Sequence, residues 1–114
     1  NVHFVGWLDT ENLLEAYRSA KVLVLPSFFE TFGLVALEAL SQGCNVVIAD
    51  RPDMNSIFND RVLRCNPNNP ADIKEKIEAA LQLPPAVFSS ADKQKYAWRQ
   101  AALQIENIYK NASK

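Results

Sequence analysis

The sequence predicts an α/β domain, a Rossmann-like parallel sheet between helices, and three observations predict it. Short Val- and Leu-rich runs alternate with amphipathic stretches along the whole chain. Two of those runs, at 21–27 and 46–50, are apolar at nearly every position, as suits strands covered on both faces. Helix start and stop signals fall between the runs.

Each element can be justified in order. "VHFVG" at 2–6 predicts a strand closed by glycine, and "TENLLEAYRSA" a helix with Thr10 as cap and Leu13, Leu14, Tyr17 and Ala20 on one face. "KVLVLPS" at 21–27 predicts the next strand, followed by a turn at Pro26 to Glu30 and a helix from about Thr31. Gly43 reads as the left-handed cap that ends this helix. "VVIAD" (46–50) and "VLRC" (62–65) are two further strands. In "NPADIKEKIEAALQLP", Asn69 caps, Pro70 suits the first turn, and Ile73, Ile77, Ala80 and Leu81 form the buried stripe before Pro84 and Pro85 stop the helix. A last helix is expected from Ser89 or Ser90, with Trp98, Ala101, Ala102, Ile105, Ile108 and Tyr109 along its buried side. The order is β-α-β-α-β-loop-β-α-α, and in such folds ligands sit beyond the carboxyl ends of the strands.

Composition narrows the function classes. The 114 residues are 48% hydrophobic with a formal net charge of −1, which suits one domain with a real core. Basic residues are scattered rather than gathered in a stripe, so nucleic acid is not an expected partner. Cys44 and Cys65 show no CxxC spacing and no neighbouring His, so no metal is expected, and two reduced thiols suit a cytoplasmic protein. No run approaches the roughly 20 apolar residues needed to cross a bilayer, which leaves peripheral association as the expected form of any membrane contact. His3, the only histidine, reads as a packed or surface side chain, and "NAS" at 111–113 as an unused glycosylation sequon.

The stretch "SFFETFGLVALEALSQG" at 27–43 carries the chemistry. Glu38 is the only charged residue between Thr31 and Leu40, and among Leu34, Val35, Leu37 and Leu40 a carboxylate would need a partner. Glu30 precedes it by eight residues, about 12 Å along a helix at ~1.5 Å per residue. Between them Gly33, Leu34 and Val35 fall in a first helical turn, where amides lack intrahelical partners and the dipole favours anions. The pattern is carboxylate, bare amides, carboxylate, which suits sugar hydroxyls, phosphates and sugar hydroxyls. Two structural readings stand beside it: Glu30 complementing the helix dipole with Thr31 as N-cap, and Glu38 pointing to solvent at a helix edge.

Those residues resemble the glutamate-x7-glutamate motif of glycosyl transferases group 1, the retaining, nucleotide-sugar-dependent enzymes with a two-domain GT-B fold. "VHFVGWL", "YRSAKVLVLPS" and "YAWRQAALQIENIY" are similar to the family's flanking segments. The resemblance implies a C-terminal donor-binding lobe, one partial domain over 1–114 truncated at its N-terminal side, with an unpaired sheet edge and no turnover of its own. It implies Glu30 as the catalytic-site group that contacts the donor sugar, and Glu38 on the ribose diol. Thr31, Phe32, Gly33, Leu34 and Val35 complete the implied donor-binding set, with Trp7 and Leu8 near the base. The implied partners are a nucleoside diphosphate sugar, an N-terminal acceptor domain and a carbohydrate or lipid acceptor, and the implied cofactor is none.

The chain also departs from the family pattern. The basic Arg and Lys that usually neutralise the diphosphate have no counterpart here, and Asn45 replaces a proline. "DRPDMNSIF" (50–58) lacks the pair of glycines and the glutamate of many relatives, and its Arg51 reads either as facing the phosphates or as a solvent-exposed loop residue. The departures keep a second function class open, a non-catalytic Rossmann-like module used for partner binding or regulation.

Overall fold

The computed structural model describes residues 1–112, apart from the side chains of Asn55 and Ser56. Ser113, the last residue of the Asn111 sequon, lies outside the described residues. Among those described, three strands, β1 (Val22–Leu25), β2 (Asn45–Ala49) and β3 (Leu63–Cys65), run parallel in the order β1-β2-β3. Helices α1 (Thr10–Ser19), α2 (Leu34–Ser41), α3 (Pro52–Phe58), α4 (Pro70–Gln82), α5 (Ser90–Lys95) and α6 (Trp98–Ala112) surround or extend from this sheet. The alternating, Rossmann-like α/β architecture expected from the apolar runs is therefore present.

Strand alternation divides the core in two. Val46 and Ile48 of β2 join Tyr17, Ala36, Ala39, Leu40, Met54 and Phe58 on one face of the sheet, with Leu23 and Leu25 of β1 packed alongside. Val47 points the other way, with Cys65 and Ala80, beside Val22, Val24, Ile73 and Ile77. Successive side chains of a strand take opposite faces, so every residue of β2 is buried by one layer or the other.

Caps fix the helix ends. Asp9, rather than Thr10, is the N-cap of α1: its carboxylate accepts from the Asn12 amide at 2.9 Å. Asn69 caps α4 by accepting from the amides of Ala71 and Asp72. Gly43 has φ +89° and donates its amide to the Leu40 carbonyl, the left-handed end of α2 read from the sequence. Tyr17, Ile73, Ile77 and Ala80 take their expected inward positions, whereas Ala20 and Leu81 are exposed at the last turns of their helices.

Three expectations are corrected. Residues 2–6 form no strand and lie in the open, with Phe4 98% exposed; a strand needs a neighbour for its N–H and C=O groups, and β1 pairs only with β2. The loop at 50–58 contains a helix, α3, with Pro52 in its first turn. The single C-terminal helix is two: α5 stops at Tyr96, whose ring stacks on Phe88 and whose hydroxyl donates to the Ile57 carbonyl, and α6 starts afresh. No residue of α6 is buried, and Trp98 and Tyr109 are solvent-facing because no other described element lies along that helix.

Asn45 explains its own departure from proline. Its side-chain amide donates toward the carbonyls of Ala80, Leu83 and Pro84, tying β2 to the end of α4, while its backbone amide donates to the Lys21 carbonyl at 3.0 Å. Replacing the side chain removes these bonds and leaves the Ala80 carbonyl with the one from the Leu83 amide. Asn45→Ala is expected to lower unfolding free energy by about 2 kcal/mol in urea denaturation, and Asn45→Pro by more, since it also removes the ladder bond; an unchanged midpoint in both would refute this role.

Asp92 gives the fold an acid-sensitive joint. It closes a capping box with Ser89 and pairs with Arg61, and these bonds, the Arg61 bond foremost, hold its carboxyl well below the ordinary range. A depressed folded-state pKa contributes stability that is complete above the unfolded value of about 4 and is lost as pH falls below it. Asp92→Asn should therefore flatten the acid limb of a stability profile taken from pH 7 to 2, while an acid limb as steep as that of the parent protein would contradict the assignment.

Candidate functional site

The site grows from the end of β1. Its last residue, Leu25, leads through Pro26 into a loop that reaches α2 only at Leu34, three residues later than the sequence suggested. Gly33 is the N-cap, with φ +72°, and its carbonyl accepts from the amides of Ala36 and Leu37. This left-handed conformation disfavours any side chain. A Cβ there would also lie 2.6 Å from the Met54 methyl and 3.2 Å from the Phe58 ring. Gly33 thus faces the core, and its necessity comes from packing as well as backbone conformation.

Glu30 bends back over its own loop. Its Oε1 accepts from the Thr31 amide at 3.0 Å and the Gly33 amide at 3.3 Å, so the carboxylate occupies part of the helix N-terminus. This is the structural role weighed for it in the sequence, with Gly33 rather than Thr31 as cap. The amides of Phe32, Leu34 and Val35 make no hydrogen bond to any described residue. Negative charge is favoured there by the dipole and by unsatisfied N–H groups together.

Glu38 lies one turn beyond Leu34 on the same exposed face of α2, with Ala36, Ala39 and Leu40 turned inward. The expectation of a carboxylate crowded by apolar neighbours is corrected, because helical periodicity sends those neighbours to the other face or to solvent. The one hydrogen bond of its carboxylate among the described residues is accepted at Oε2 from the buried Tyr17 hydroxyl at 3.4 Å. Burial first, and then the Glu38 charge, push the Tyr17 hydroxyl up from its ordinary value. Tyr17 was read from the sequence as core alone; its reach to Glu38 appears only when α1 packs on α2.

The opposite wall comes from the segment after β2. Arg51 forks onto Asp53 and donates to the Phe28 carbonyl, and it shares with Leu25, Ser27, Glu30, Ile48, Ala49 and Met54 a gap too tight for water. The solvent-exposed reading is corrected in part: the side chain is 25% exposed and held by Asp53 and the Phe28 carbonyl. Trp7 and Leu8 lie before α1, Trp7 largely in solvent, and no hydrogen bond joins either to Glu30 or Glu38. His3 is exposed. A separate hollow of about 360 Å³ opens at the amino ends of the strands, lined by Lys21, Gly43 and Asn45 among others, and neither carboxylate lines it.

Comparison with known proteins places the chain in a family. A profile described as Glycosyl transferases group 1 matches residues 1–112. The chain belongs to that family. It is 33% identical to an uncharacterized glycosyltransferase of Methanocaldococcus jannaschii over 97% of its own length and 30% of the relative's. It is 30% identical to the O-antigen chain mannosyltransferase B of Escherichia coli over 96% of its length and 30% of the relative's. Similarity to the sulfoquinovosyl transferase of Arabidopsis thaliana is 33% over 91% of the chain and 22% of the relative. The chain thus spans less than a third of the length of these glycosyltransferases.

Gly33 gives the first test of the site's architecture. Gly33→Ala is expected to cost at least about 2 kcal/mol, from the left-handed backbone and from the contacts with Met54 and Phe58. Chemical denaturation measures it, and a loss under about 0.5 kcal/mol, the range of ordinary surface substitutions, would show the strain argument to be mistaken.

Proposed function

We propose that residues 1–114 act as the donor-binding domain, the C-terminal lobe of a GT-B fold, of a retaining glycosyltransferase. The enzyme would move a sugar from a nucleoside diphosphate sugar to a polysaccharide or glycolipid acceptor held by an N-terminal domain. The observation that carries the reading is the row formed by Glu30, the unpartnered amides of Phe32, Leu34 and Val35, and the exposed Glu38, at the carboxyl end of the sheet. Family membership supports the same reading.

In this mechanism the diphosphate lies over the start of α2. The amides and helix dipole stabilise the charge that grows on the leaving diphosphate, the term that matters most in such a transfer. Glu38 accepts from the two ribose hydroxyls, held toward them by Tyr17. Glu30 accepts from sugar hydroxyls with the oxygen that its loop amides leave available, which makes it a positioning and electrostatic group rather than a nucleophile. The acceptor attacks from the face the diphosphate leaves, so the anomeric configuration is kept. No metal is assigned a part, because the helix N-terminus and basic groups from elsewhere in the protein can meet the diphosphate charge. The free, buried thiols of Cys44 and Cys65 support a cytoplasmic site of action.

One observation favours the second reading, a non-catalytic module: Glu30 is engaged by its own loop. Ligand-observed NMR of the full-length protein with UDP, GDP and ADP and their sugar conjugates separates the two, and silence toward all of them supports the module. For the donor reading, Glu38→Ala is expected to weaken the preferred nucleotide about tenfold, the equivalent of one charge-assisted hydrogen bond. The 2′,3′-dideoxy analogue should bind the parent and the variant alike; equal losses for both ligands would refute the ribose contact.

A further inference from the structure

In the segment after β2 an ion pair grips the loop that carries Glu30. Arg51 donates from Nε and one terminal nitrogen to the two oxygens of Asp53, at 3.1 and 2.8 Å, and from its other terminal nitrogen to the Phe28 carbonyl. Two separate segments are joined by one planar group: the turn entering α3 and the turn two residues before Glu30. A guanidinium can hold a carboxylate bidentately and reach a third acceptor at once, which an ammonium cannot. The Arg51 side chain is 25% exposed, so solvent competes for it only in part. The Asp53 bond raises the Arg51 guanidinium and the Arg51 bond lowers the Asp53 carboxyl, while the Glu30 carboxylate is near enough to add to the field at Arg51.

We propose that Arg51, braced by Asp53, is a positioning residue for sugar recognition: it fixes the turn at Phe28 so that Glu30 is aimed at the donor's sugar, and it does not itself hold the diphosphate. The inference rests on the donor-binding reading and deepens it. It assigns this pair one wall of the site. The effect of losing Arg51 should then fall on Glu30 and its two loop amides, and leave the Glu38 end untouched.

The test uses the full-length protein. In the absence of ligand, Arg51→Ala should speed hydrogen exchange at the Thr31 and Gly33 amides about tenfold while β2 amides keep their protection, because local opening follows the loss of a local restraint. Titrations with UDP, GDP and ADP, and with UDP-glucose, GDP-mannose and ADP-glucose, then give the gain in affinity that the sugar confers. Arg51→Ala and Arg51→Lys should both cut that gain about tenfold, the scale of one charge-assisted hydrogen bond, and leave the bare nucleotide within about twofold. If Arg51→Ala does not fold, Asp53→Asn loosens the fork and should move both readouts in the same direction by a smaller factor. Unchanged exchange at Thr31 and Gly33, equal loss for nucleotide and nucleotide sugar, or rescue by Arg51→Lys would each overturn the proposal, the last two in favour of direct phosphate contact. Silence of the parent protein toward all six probes removes the donor reading and with it the sugar-recognition half of the proposal, while exchange still decides whether Arg51 holds Glu30.

Discussion

The burial of β2 on both faces is the constraint on which the rest of the structure depends. A parallel strand in the middle of a sheet has no solvent side, so Val46 and Ile48 require one helical layer and Val47 another. The first layer is α1, α2 and α3, and the second is α4. Because the strands are parallel, their carboxyl ends meet at one rim. The loops leaving β1 and β2 are therefore neighbours, which is why Glu30 and Arg51, distant in sequence, come to line the same gap.

What was legible in the sequence followed from local chemistry. The largely apolar runs at 21–27 and 46–50, the Asn69–Pro70 start and the Gly43 stop each act within a few residues, and each is where it was read. What was not legible depended on partners. Among the described residues, 2–6 have strand composition but no ladder to join, and the stripe of α6 has core composition but no surface to cover it. The break at Tyr96 comes from a ring on Phe88 and a carbonyl at Ile57, neither of which a helical period can reveal.

The same division runs through the site. The two glutamates and the amides between them were visible because their spacing is a property of one short segment. The premise about Glu38 was not sound: eight helical residues are too few to bury a full circumference, and the apolar residues beside it include two, Leu34 and Val35, that face solvent with it. Tyr17 and the Arg51–Asp53 fork were hidden because their meaning lies in contacts between elements. Glycine at position 33 was read as part of a turn with bare amides, and the structure adds that the core leaves no room for a side chain there.

The placement of the aromatic residues has a spectroscopic consequence. Both tryptophans, Trp7 and Trp98, stand outside the core at 87% and 91% exposure. Indole emission shifts to longer wavelength in water, so the folded protein already emits much as the unfolded chain would. Intrinsic fluorescence is then nearly blind to melting of the sheet. It responds instead to whatever covers the segment before α1 or the start of α6, and a blue shift is a direct optical signal that one of those surfaces has been occupied.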